Sequence, residues 1–109
     1  MELKDKKCVP CEGGAPVLSE SQRTQYLPMI NKKWQIIGER MLARDFNFVN
    51  FRHTMNFVNQ VAEIAEAEGH HPDMHISYGK CRIELWTHAI GGLSENDFIV
   101  AAKIDMLKG

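Results

Sequence analysis

A chain of 109 residues has room for one hydrophobic core and not two, and its 44% hydrophobic and 25% charged residues are those of an ordinary soluble domain. A net charge of -1 supplies no global attraction to nucleic acid or to an anionic membrane, and no apolar run approaches the ~20 residues that span a bilayer. Met1 to Lys7 lacks the apolar centre of a secretory signal and the three cysteines are odd in number, so a disulfide framework is not expected and a reducing, cytoplasmic setting is.

Residues 1–18 carry Pro10, Gly13, Gly14 and Pro16 without an apolar period, and read as an irregular arm before a single domain over 19–109. Ser19 with Gln22 forms a capping box that opens a short helix. Pro28 ends it, because proline lacks an amide donor and disfavours helical geometry at Leu27. Trp34 to Ile37 reads as a strand, with a turn beginning at Gly38. Met41 to Phe48 reads as a second strand, with Leu42, Phe46 and Phe48 on one face and Asp45 and Asn47 on the other. Arg44 interrupts its apolar face, so an edge-like or partly exposed strand is expected.

Asn50 is a suitable N-cap for the longest helix, in which Phe51, Met55, Val58, Ala62 and Ala65 recur as an apolar stripe. Gly69 supplies a left-handed C-cap and Pro72 prevents resumption, so the helix stops just before His70 and His71. His75 to Tyr78 and Cys81 to His88 read as two strands about a turn at Gly79-Lys80. In the second, Ile83, Leu85 and Thr87 share one face, and Arg82, Glu84, Trp86 and His88 the other. After the break at Gly91 and Gly92, Ser94 with Asp97 makes an acidic capping box for a last helix that continues through Leu107.

The order helix, two strands, helix, two strands, helix predicts a two-layer α+β domain: a four-stranded antiparallel sheet with three helices on one face. The last helix is apolar nearly all round its first turns. One face should meet the sheet, and a second subunit is the expected cover for the other, a loosely exposed terminal helix being the alternative.

The densest polar cluster is Glu66 with His70-His71-Pro72 at the end of the long helix, joined by His88 and Trp86 on the polar face of a strand. Adjacent histidines alone are weak signals, but a glycine cap and a following proline hold this pair at a fixed chain reversal. Glu66-x-x-x-His70-His71-Pro72, then five residues to Tyr78, nine to His88 and eight to Asp97, resembles the signature of the pterin-4a-carbinolamine dehydratases. Thr87-His88 and Gly92-Leu93-Ser94 extend the resemblance, which covers about Ser19 to Leu107. The arm Cys8-Val9-Pro10-Cys11-Glu12-Gly13-Gly14 is similar to that of a longer bacterial subtype.

The resemblance implies dehydration of a tetrahydropterin hydroxylated at C4a, in which the hydroxyl is protonated and the N5 proton removed. Imidazole, with an ordinary pKa of ~6.5, suits either task near neutral pH. By resemblance His70, His71 and His88 are catalytic, with His71 and His88 the acid-base pair and His70 positioning the hydroxyl and assisting proton movement; spacing does not say which imidazole is acid and which base. Glu66 would orient an imidazole or bind the amide-like edge of the pterin, or is merely a solvated carboxylate. Trp86 would wall the flat ring or cover the sheet. Tyr78 and Asp97 belong to the signature, but a packing aromatic and a helix cap explain them first. His53 and His75 fall outside it.

No cofactor is expected, because dehydration moves no electrons and the pterin is itself the substrate. Cys8-x-x-Cys11 has zinc-ligand spacing but is half a site, so no metal is expected either. The resemblance further implies a homodimer or homotetramer, with a pterin-dependent aromatic amino acid hydroxylase as a metabolic partner. Its alternative is a non-catalytic dimerisation or coactivator module, or a role in molybdopterin-linked metabolism, with the apolar last helix as the working surface.

Overall fold

The computed structural model describes residues 2–8 and 17–107. Ser19 caps helix α1 (Glu20–Tyr26): its hydroxyl accepts from the Gln22 amide while the Gln22 side chain accepts from the Ser19 amide. Strands β1 (Gln35–Ile37) and β2 (Met41–Asn47) follow, then the long helix α2 (Phe51–Glu68), strands β3 (Asp73–Ser77) and β4 (Lys80–Leu85), and helix α3 (Glu95–Asp105). The strands form one antiparallel sheet in the order β1-β2-β4-β3, with Leu42 opposite Leu85 and Met74 opposite Ile83. This is the α+β architecture the pattern predicts. Among the described residues no helix is long and apolar enough to cross a membrane.

Alternation sorts the two faces of the sheet. Leu42, Phe46, Cys81, Ile83 and Leu85 are buried and join Phe57, Val61, Phe98 and Ile104 in one core. The opposite face carries a charged ladder, in which Arg82 bonds Glu84 and Asp45, and His75 Nε2 lies 3.0 Å from Glu84. A charged face cannot take a helix without desolvating its ions, so the helices gather on the other one.

Four details depart from the sequence reading. Trp34 is 2% exposed yet precedes β1, its indole donating to Asp105 and its ring meeting Phe46 of β2 edge-on. β2 is partly exposed as expected but interior rather than at an edge, and Arg44 is accommodated by partners: its guanidinium lies 2.7 Å from Asp105 and over the Phe46 ring. The buried stripe of α2 is Thr54, Phe57, Val58, Val61 and Ala65, while Phe51 is 49% exposed. The bulkier Phe57 and Val61 take the core, and the Thr54 hydroxyl buries without loss by donating to a carbonyl, Asn50 and Tyr78 both lying 2.9 Å away. Lastly, β4 stops at Leu85, so His88 does not end a strand but opens a single 3-10 turn, His88–Ile90.

The apolar last helix also finds its cover within the chain. Asn96 to Ala102 and Ile104 of α3 are buried; Tyr26 stacks on Phe98 at 5.2 Å, and Leu3, 5% exposed, joins the same core from the N-terminal segment. Those residues therefore need no second subunit to cover them, and they do not form an exposed coactivator surface. Cys11, the second half of the Cys8-x-x-Cys11 pair, lies outside the described residues.

Candidate active site

The chain reversal after α2 positions the first two histidines. Gly69 adopts a left-handed φ of 65°, and its amide and that of His70 both bond the Ala65 carbonyl. Pro72 then favours an extended backbone at His71, and the chain enters β3. The two imidazoles diverge: the His70 side chain is 12% exposed and that of His71 59%.

His70 turns inward onto Asp97, its Nε2 lying 2.6 Å from Oδ1 of a carboxylate with no solvent exposure. The other oxygen, Oδ2, accepts from Thr87 Oγ1 at 2.8 Å and from the Ser94 amide at 2.9 Å. Because the Thr87 proton goes to Asp97, the Ser94 hydroxyl is the donor in its 2.8 Å bond with Thr87. An ionised carboxylate only accepts, so it fixes the His70 proton on Nε2 and leaves Nδ1 to act as a base or, once protonated, an acid. Asp97 thus caps α3 and orients His70 together.

His71 Nε2 meets Glu66 at 2.6 Å, one turn back along α2, both side chains being exposed. On the facing side Trp86 and His88 stack with centroids 3.9 Å apart and planes inclined by 31°. The Trp86 indole reaches Asp73 at 3.4 Å. Thr87 is anchored by a bridge to Gly92, so the residues on either side of it project from a fixed backbone.

Between these walls is a cleft of about 590 Å³ lined by His70, His71, Pro72, Trp86, Thr87 and His88. All three expected histidines and Trp86 therefore meet in one place. Glu66 does not line the cleft and touches it only through His71. His53 and His75 lie elsewhere, on the first turn of α2 and the charged face of the sheet. A larger hollow of about 700 Å³ beneath Leu3, Tyr26 and Met106 holds no histidine, and its Lys6 and Tyr26 both bond Glu95.

Sequence reasoning undervalued Asp97, since its capping role was visible and its contact with His70, 27 residues away, was not; only its place in the signature signalled more. It also missed Cys8, Glu68 and Asn96 in the cleft wall. The Glu68 side chain is 6% exposed, with its Oε1 accepting from the Cys8 amide at 2.9 Å and its Oε2 3.5 Å from Lys103. Burial alone would raise its pKa, but the Cys8 amide and the Lys103 ammonium outweigh it and hold the carboxyl below its ordinary value.

Residues 16–107 match the family model for pterin 4 alpha carbinolamine dehydratase. The chain belongs to that family. A Nitrosomonas eutropha relative, provisionally named as a pterin-4-alpha-carbinolamine dehydratase, is 52% identical over 97% of this chain and 93% of its own. An Alkaliphilus metalliredigens relative of the same provisional name is 46% identical over 94% of this chain and 93% of its own. A Brucella melitensis crystal structure described as a transcriptional coactivator/pterin dehydratase superposes with a TM-score of 0.76 at 31% identity, covering 82% of this chain and 95% of the other. A pterin dehydratase-like protein described as a RuBisCO assembly factor in the alpha-carboxysome gives 0.59 at 27% identity, over 67% of this chain and 86% of the other. The matched stretch of this dehydratase-family chain contains His70, His71, His88 and Asp97; the segment carrying Cys8 precedes it.

Proposed function

We propose that the chain dehydrates a 4a-hydroxytetrahydropterin to the quinonoid dihydropterin, using His70, His71 and His88. The observation that carries this reading is the convergence of three imidazoles, from two separate chain segments, on one cleft walled by the Trp86 indole. Family membership supplies the substrate class. In the reaction the C4a hydroxyl takes a proton and leaves as water, the N5 proton is removed, and the N5 electron pair becomes the C4a–N5 double bond. Nothing is oxidised or reduced, so two proton transfers are all that is required of the side chains.

His71 and His88 are the proposed acid-base pair, with Glu66, 2.6 Å from His71 Nε2, orienting its imidazole. His70, held by Asp97, presents Nδ1 to the departing hydroxyl. Trp86 offers its face to the flat ring. The carbinolamine would come from a pterin-dependent aromatic amino acid hydroxylase in the cytoplasm, and a dimer or tetramer is the proposed assembly.

Spectroscopic detection of carbinolamine decay on rapid mixing tests the reading. Wild-type protein should accelerate decay well above buffer, and His71→Ala or His88→Ala in folded protein should lose ~10²- to 10⁴-fold in kcat/KM. Wild-type protein without acceleration would refute it.

A further inference from the structure

We propose that Cys8, at the end of the fastened segment 2–8, is a substrate-contacting part of the wall of the histidine cleft and that Glu68 is the positioning residue that seats it; the inference rests on the pterin reading above. These residues lie outside the stretch matched by the family model, yet Cys8 lines the same cleft as the three histidines. The segment is fastened at several points. Leu3 is buried in the core, Lys6 pairs with Glu95 at 2.7 Å, and Lys103 donates to the Lys4 carbonyl at 3.0 Å. At the cleft itself the Cys8 amide donates to Glu68 and the Cys8 sulfur lies 3.7 Å from the Asn96 carbonyl.

Glu68 is poorly placed for helix stability. It is the last residue of α2, where the negative end of the helix dipole repels a carboxylate, and it is almost fully buried. Lys103 offsets that cost while reaching the Lys4 carbonyl with the same ammonium group. A carboxylate kept there despite the dipole, with one oxygen on the Cys8 amide, fixes how close the segment stands to His70 and His71. Cys8 thus stands in the cleft wall beside the histidines, and in this proposal it meets part of the pterin that takes no part in proton transfer. Contacts of that kind act equally on bound substrate and transition state, so their loss raises KM and spares kcat.

Two measurements test this. In the dehydration assay, Glu68→Ala should raise KM about tenfold with kcat within about twofold, whereas Glu68→Gln, which still accepts the Cys8 amide, should stay near wild type. Separately, a Cys11→Ser protein kept reduced is alkylated with iodoacetamide with and without a saturating 7,8-dihydropterin. Modification of Cys8, located by peptide mass, should slow at least fivefold, roughly the shielding expected of a covered group; Cys81, fully buried, serves as the internal control. Binding of the dihydropterin is read independently by tryptophan fluorescence. Dihydropterin that binds without protecting Cys8, or a Glu68→Ala protein that loses kcat and melting temperature without a rise in KM, overturns the wall. Wild-type protein that neither binds the dihydropterin nor accelerates dehydration overturns the pterin reading, and the wall with it.

Discussion

Replacing Asp97 with alanine should be the most damaging single truncation around the cleft. The carboxylate is unexposed and accepts from the Ser94 amide and the Thr87 hydroxyl as well as from His70. A buried donor without an acceptor costs ~1–3 kcal/mol, so three could cost up to ~9 kcal/mol. That total overshoots, because the Ser94 hydroxyl can reverse to accept from Thr87 and His70, 12% exposed, reaches water. A loss of ~3–5 kcal/mol is expected, similar to breaking a buried ion pair. Against a domain stability of ~5–15 kcal/mol this lowers the melting temperature by ~12–20 °C. Urea unfolding followed by tryptophan fluorescence should show the midpoint fall with an unchanged slope. Asp97→Asn divides the two roles of the side chain. Its oxygen still serves Ser94 and Thr87, at a cost of ~1–2 kcal/mol, but its amide forces the His70 proton onto Nδ1 and should displace the pH-rate profile. A loss under ~1 kcal/mol for Asp97→Ala would refute the network as a structural support.

Other outcomes follow from single features. Glu68 has its pKa lowered in the folded chain, so its stabilising contribution is complete above the ordinary carboxylate value of ~4.3 and fades as pH falls through the lowered one. The stability gap between wild type and Glu68→Gln in urea should therefore be widest above about pH 5 and close in stronger acid; a gap constant down to low pH would contradict this. Gly79→Ala would place Cβ 2.8 Å from the Phe48 carbonyl oxygen, which is backbone and moves only with the chain leaving β2, for a cost of ~1–3 kcal/mol. Gly69→Ala meets no atom but strains a φ of +65°, for ~1 kcal/mol. Thermal melts should rank Gly79→Ala as the worse; the reverse order would show that the Phe48 approach relaxes freely.

Local rules made most of the fold legible. Ser19, Asn50, Gly69 and Ser94 bound their helices where capping chemistry places them, and the parity of Ile83 and Leu85 gives the buried face of β4. The misreadings share a cause in partners distant in sequence. Arg44 looked like a flaw in an apolar face because Asp105 lies 61 residues on, and the last helix looked bare because Leu3 and Tyr26 cover it from the start of the chain. The site divides the same way. The histidine spacing brought the cluster into view, while the anchoring of His70 by Asp97 and of Cys8 by Glu68 depends on contacts that no local pattern encodes.

The clasp between the two ends of the chain also bears on synthesis. Lys4 is held by Lys103 and Lys6 by Glu95, across 99 and 89 residues. Residues 2–8, made well before α3, therefore have nothing to seat against until α3 has cleared the exit tunnel. Asp97, which anchors His70, arrives on that same late helix. Nascent chains lacking it would leave Phe57, Leu85 and Ile83 without their cover and the imidazoles without a fixed geometry. The completed fold thus waits for α3, and products truncated before it should aggregate rather than retain partial activity.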